Sequence, residues 1–226
     1  MKIKTTARIG GILYLLIITA GIFSEIFVRN KLIVWDNAAE TASNIKSSAL
    51  LWRAGITADL IMHVFDIPLM LIIYILLKPV NKNLAMLGLL FTLIQTAVLV
   101  AFKLKLFDAL FLTDYAGMNT AQTSQLNALA FIAIRSDAYG FCIGLLFFGF
   151  ACIINGYLIF KSGYIPKFIG VLIQIAGLCY IINSVAQFIN PGMAAIISPG
   201  ILIVPFIAEL SFCLWLLIKG VRFYPA

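Results

Sequence analysis

Charge, histidine and the common catalytic signatures are all scarce in this chain. Of 226 residues 11% are charged and one is histidine, whereas a soluble domain carries about 25% charged residues. The sequence holds no H-E-x-x-H metalloprotease motif, no G-x-S-x-G nucleophile elbow and no P-loop, so familiar routes to peptide, ester and nucleotide chemistry lack support. The four cysteines, Cys142, Cys152, Cys179 and Cys213, lie in apolar runs without C-x-x-C spacing. They read as small hydrophobes with free thiols, not as zinc or redox ligands. Lys and Arg outnumber Asp and Glu by 16 to 9. The basic residues fall in short clusters between apolar runs instead of forming a stripe, which argues against nucleic acid as a partner.

What the chain has in abundance is hydrocarbon: 63% of its residues are hydrophobic and its mean hydropathy is +1.08. A water-soluble fold could not bury that much apolar surface, so the expected partner is the lipid bilayer. A hydrocarbon core about 30 Å thick needs about 20 apolar residues in a helix. Six stretches meet that length, at approximately 9–28, 54–77, 84–102, 138–160, 168–188 and 201–218. The start, MKIKTTARIGGILYLLIITAGIF, has the parts of a signal peptide, but its apolar stretch is long enough to span and lacks a clear A-x-A site, so it reads as a retained first helix. The expected fold class is all-α, a polytopic transmembrane bundle of six helices forming one integral membrane domain over residues 1–226.

Charge sets the expected orientation. The N-terminus, the second and fourth loops and the C-terminus carry Lys2, Lys4, Arg8, Lys78, Lys82, Lys161, Lys167, Lys219 and Arg222 and no acid. The other loops mix Arg29, Lys31, Lys46, Arg53, Lys103, Lys105 and Arg135 with Asp36, Glu40, Asp108 and Asp114. The positive-inside rule then places both termini in the cytoplasm. Three helices end in an aromatic residue one turn before a lysine (Tyr74 and Lys78, Tyr157 and Lys161, Trp215 and Lys219), an interfacial anchor on that same side.

Two outer loops are long. Residues 36–48 (DNAAETASNIKSS) read as a short surface helix. Residues 103–136 alternate two amphipathic stretches, KLKLFDALFL and SQLNALAFIAI, with a polar turn around Asp114 to Gln122. These are expected on the membrane face or capping the bundle. The stretches from Lys78 to Gly88 and from Lys161 to Gly170 resemble each other as a weak hairpin repeat, although two basic turns between helices look alike in any case.

Acids inside apolar spans need explaining, because a charge at mid-bilayer costs about 2.5 to 3.5 kcal/mol even on the lenient insertion scale. The second span reads ADLIMHVFDIPL and puts Asp59, His63 and Asp66 at i, i+4 and i+7 on one face. At 1.5 Å per residue Asp59 and Asp66 lie about 8 and 18 Å below the start of that helix. Glu209 falls at a depth comparable to Asp66, and Glu25 lies near the outer end of the first helix. Gln95, Asn183, Ser184 and Gln187 belong to the same outer half, which defines a polar pocket open to the outside. Pro68 frees the carbonyl of Val64 beside these acids and is expected to kink the helix.

Each residue also has a plainer role. Protonated acids, Gln and Asn can serve as interhelical hydrogen-bond glue at about 0.6 kcal/mol per contact. Asp137 is expected to cap the fourth span, Arg53 and Arg135 to act as interfacial anchors or counter-ions, and Gly140-x-x-x-Gly144 to mark close helix packing.

The favoured chemistry is binding or translocation of a cation or small cationic solute, with Asp66 and Glu209 as deep ligands and Asp59 and Glu25 nearer the entrance. Six helices without a clear inverted repeat suit this best if the protein forms a homo-oligomer. The alternative is a metal-dependent intramembrane hydrolase acting on a lipid or peptide. There His63, Asp66 and Asp59 would hold a divalent Mn, Fe or Zn ion. A third reading is an accessory or assembly subunit of a membrane complex.

The blocks ARIGGILYLLIITAGIFSEIFVR, ADLIMHVFDIPL with YILLKPVNKNLA, DAYGFCIGLLFFGF, GYLIFKSGYIPKFIGVLIQIAGLCYIINS and AELSFCLWLLIKGV cover nearly the whole chain. In that order they resemble the membrane-protein family known as domain of unknown function 4386. The resemblance implies a multi-pass protein of the bacterial cytoplasmic membrane and carries no activity. Glu25, Asp59, Asp66 and Glu209 fit its blocks, whereas His63 departs from them, which weakens the metal reading and leaves the carboxylates intact.

Overall fold

The computed structural model describes residues 3–114 and 119–221. Lys2, Arg222 and the middle of the turn between Asp114 and Gln122, all used above, lie outside those residues. The described chain is helical, with no strand. Its helices are α1 (Ile3–Ile22), α2 (Asn30–Leu32), α3 (Ala38–Ser47), α4 (Ala49–Leu77), α5 (Lys82–Thr113), α6 (Thr120–Ser162), α7 (Lys167–Ile189), α8 (Pro191–Ile201) and α9 (Ile203–Ile218), and a π-helical stretch, Phe23–Arg29, joins α1 to α2. Among the described residues five helices are long and apolar enough to cross a membrane: Ile3–Leu32, α4, α5, α6 and α7. Pro191–Ser198 of α8 and α9 reach spanning length only when taken together across a bend of 49°, the geometry of a broken span or of a re-entrant loop. The break lies between Ser198 and Ile203, a stretch whose sequence includes Pro199, with no backbone N–H to donate, and Gly200, a weak helix former.

Two expectations about the outer segments change. The amphipathic stretches after Phe102 and before Asp137 are not separate surface elements. They continue α5 and α6, because neither contains a Gly or Pro to stop a helix. At 1.5 Å per residue, α5 and α6 reach about 48 and 65 Å, well beyond a 30 Å hydrocarbon core. Asp137 therefore sits inside α6 and caps nothing. The cap is Asn119, whose side chain accepts from the Gln122 N–H at 3.0 Å while its own N–H donates to Gln122 Oε1 at 3.1 Å. Asn37 and Glu40 start α3 in a related way, within the stretch 36–48 expected to form a short helix. Pro68 lies within α4, which continues as one helix to Leu77.

The chain divides into two compact units, and α1, α4, α5 and α6 contribute residues to both. Unit 1 comprises Met1–Ile17, Val64–Ala97 and Cys142–Ala226. Glycine meets glycine at close range between α6 and α7. A Cβ on Gly177 would lie 2.5 Å from the Gly149 carbonyl oxygen, and one on Gly156 would lie 2.7 Å from that of Gly170. Each helix spaces its glycines seven residues apart, so the antiparallel backbones touch at two levels. Where lipid offers no hydrophobic drive for association, such close approach supplies the van der Waals contact. Gly11 does the same for α1 and α9: a Cβ there would meet the Leu217 backbone nitrogen at 2.6 Å.

Unit 2 comprises Ile18–His63 and Val98–Phe141. Val28, Leu32, Ile45, Ile56, Leu106, Leu110 and Ile134 pack around Trp52, which is 1% exposed. The Trp52 indole N–H donates to the Leu106 carbonyl at 3.0 Å, satisfying the polar edge of a buried ring. Gly140 does mark a close contact, against the Phe102 ring, whose Cγ would lie 2.0 Å from an added Cβ.

Candidate functional site

The acids singled out from the sequence fall into two settings. Glu25 and Asp59 belong to unit 2; Asp66 and Glu209, with Gln95, Asn183 and Gln187, belong to unit 1.

In unit 2 the π-helical stretch widens the helix by one residue per turn and presents Ser24, Glu25 and Arg29. Asp59, 1% exposed, receives the Ser24 hydroxyl at 2.5 Å on Oδ1 and the Arg29 guanidinium at 2.6 Å on Oδ2. Lys103 stands 3.4 Å from the same Oδ2 and 2.9 Å from Asp137 Oδ1. Arg29 also pairs with Glu25 at 2.7 Å, and the Glu25 side chain is 56% exposed. Two buried acids thus face two cations, with a third acid at the rim.

This arrangement gives Asp59 partners that the expectation of an acidic entrance did not include. Its oxygens are taken by a hydroxyl and two cations, which satisfies a charge that would otherwise be costly to bury. Asp137 becomes the partner of Lys103, not a helix cap. Arg135 lies 5.1 Å over the Phe131 ring, as an anchor would, with no acid of the cluster in contact. Sequence reasoning missed Arg29 and Lys103 by assigning both to loops. The signals were present: Arg29 follows Glu25 by four residues, and no breaker separates Lys103 from the third span.

The side chains of the metal reading do not gather into one cluster. Among the described residues no group of three or more His, Cys, Asp or Glu side chains could hold a metal ion. His63 is buried, and Asp59 is engaged by Ser24, Arg29 and Lys103.

In unit 1, Glu209 lies in the middle of α9. The Tyr180 hydroxyl donates to Glu209 Oε1, and the buried Tyr14 hydroxyl of α1 is within hydrogen-bonding reach of the same carboxyl. Asp66 of α4 is close enough to act on Glu209 electrostatically. The Phe148 ring, 5.4 Å from that of Tyr180, and the Phe212 ring, 6.2 Å from that of Tyr14, hold the two tyrosines in place. Among the described residues, the groups that act on Glu209 are two hydroxyls and a second acid, and none is a cation.

A polar row continues from this centre along α7. Tyr180, Asn183, Ser184 and Gln187 follow one another at i, i+3, i+4 and i+7, on one face of the helix. Asn183 and Ser184 are buried, and Asn183 Oδ1 and Ser184 Oγ meet no hydrogen-bond partner among the described residues. On α5, Gln95 and Thr96 are also buried, and Thr96 Oγ1 has no partner either. Buried polar atoms normally find partners, so these three oxygens stand out in an apolar bundle. Tyr14 and Tyr180 went unnoticed in the sequence because tyrosine in an apolar span looks like an interfacial anchor.

Three comparisons with known proteins accompany this geometry. A family model described as domain of unknown function (DUF4386) matches residues 9–220. A protein of Archaeoglobus fulgidus, named only "Uncharacterized protein", is 32% identical over 166 residues, covering 74% of this chain and 83% of its own length. No solved structure matches.

Proposed function

The chain belongs to the DUF4386 family, and from that premise we propose that it is a multi-pass protein of the cytoplasmic membrane that binds a small cation, in the first instance a proton, at Glu209. The carrying observation is the company Glu209 keeps: an acid in the middle of an apolar helix, held by the Tyr180 and Tyr14 hydroxyls beside a second acid. A charge so placed is costly in hydrocarbon, and taking up a proton or a cation relieves that cost.

The α7 row of Gln187, Ser184 and Asn183 supplies the route. It leads from the end of α7 to Tyr180, past Ser184 Oγ and Asn183 Oδ1, which meet no hydrogen-bond partner among the described residues. With both termini in the cytoplasm, as the charge distribution favours, this route opens to the outside. Asp66 is the second carboxyl of the centre, and Asp59 with Arg29 and Lys103 braces unit 2.

The test is proton uptake into liposomes carrying the purified protein and an internal pH-sensitive dye. An imposed gradient should move protons through the wild type and not through Glu209→Gln, with Asp66→Asn intermediate. Equal traces for wild type and Glu209→Gln would reject the reading.

A further inference from the structure

The basic turns of unit 1 are not used by the carboxyl centre, and they converge. Lys78 follows α4, Lys82 opens α5, Lys161 lies in the last turn of α6 and Lys167 opens α7. The Tyr164 hydroxyl ties the two turns together by donating to the Leu76 carbonyl at 2.5 Å. All four lysines are exposed. The acids of unit 1 are Asp66 and Glu209, both inside helices, so neither turn contains a carboxylate.

Helix stability does not account for this charge. Lys78 and Lys161 complement the negative ends of α4 and α6, but Lys82 and Lys167 stand at the positive ends of α5 and α7, where a cation is disfavoured. Only weak local contacts hold two of the side chains: the Lys161 ammonium lies 6.0 Å over the Tyr157 ring, and that of Lys167 lies 5.5 Å over the Phe160 ring. Exposed apolar side chains begin within a turn or two of the lysines, among them Phe168, Met86 and Leu71. An anion that fits this surface carries hydrocarbon with it.

We propose that this end of unit 1 is a docking surface for an anionic phospholipid. Its phosphate is held between the Lys78–Lys82 turn and the Lys161–Lys167 turn, and its acyl chains lie along Phe168 and Met86. The site is independent of Glu209.

The experiment is native mass spectrometry of the detergent-solubilised protein titrated with phosphatidylglycerol or with phosphatidylcholine of the same chains. The wild type should retain phosphatidylglycerol preferentially, and Lys82→Gln with Lys167→Gln should weaken that retention by roughly fivefold per lysine. Lys82→Arg with Lys167→Arg should preserve it, which separates lost charge from lost folding. Equal retention of the two lipids, or unchanged preference in the glutamine variant, would overturn the proposal. So would displacement of the bound lipid by millimolar inorganic phosphate, which would mark a site for free phosphate.

Discussion

The Arg29 guanidinium meets the Asp59 carboxylate at 2.6 Å, while Lys103 approaches the same oxygen at 3.4 Å and reaches on to Asp137. An acid that looked like the mouth of a cation pocket is thereby a brace between the π-helical stretch, α4, α5 and α6. Removing one member of a buried charge set leaves its partners uncompensated. Asp59→Asn should therefore destabilise the protein by about 3 to 5 kcal/mol. Thermal unfolding in detergent reads this directly, and a loss below about 1 kcal/mol would mean that the network is solvated and weak.

The α6–α7 contact depends on two glycine pairs with no room for a side chain. Gly177→Val should force the backbones apart and cost about 1 to 3 kcal/mol or more, since a backbone oxygen cannot rotate away. The same change at Gly163, where an added Cβ would meet nothing within 4 Å, isolates a different effect, because its φ of +73° penalises any side chain. Denaturation midpoints of the two variants should differ, with Gly177→Val the lower.

Tyr164 lies outside the spans, and burial pushes its phenol up from the ordinary 10.0 to about 12. The native state then holds the proton more tightly than the unfolded chain. Its contribution to stability is full below about pH 10 and is lost as pH rises towards 12. Absorbance titration of wild type minus Tyr164→Phe should show a tyrosine that ionises near pH 12 instead of 10. That variant should also lose about 0.5 to 1.5 kcal/mol with the hydrogen bond to Leu76.

Orientation is tested by labelling. In a cysteine-free background, Lys82→Cys should react with an impermeant thiol reagent only after the membrane is opened. Ser124→Cys, near the start of α6, should react in intact cells. The reverse pattern would invert the topology and send the α7 row to the cytoplasmic side.

Much of the fold was legible because apolar length is a strong signal: the stretches expected at 54–77 and 168–188 match α4 and α7 closely. The ends of α5 and α6 were not legible, because once a helix leaves hydrocarbon its charge pattern resembles that of a surface loop. Of the site, Glu209 and Asn183 were visible as polar residues out of place. Their partners were hidden: Tyr14 comes from a helix far away in sequence, and Tyr180 is an ordinary residue near a membrane. Nor does an acid in a span disclose whether a cation such as Lys103 will reach it.

The central claim is that Glu209 takes up the proton. Infrared difference spectra of the reconstituted protein, recorded across a pH titration, read the carboxyl directly. A protonated-carboxyl band should be absent in Glu209→Gln and should shift in Tyr180→Phe, with the fold unchanged by circular dichroism. Identical spectra for wild type and Glu209→Gln at every pH would contradict the claim and leave Glu209 as a structural hydrogen-bond partner of Tyr180.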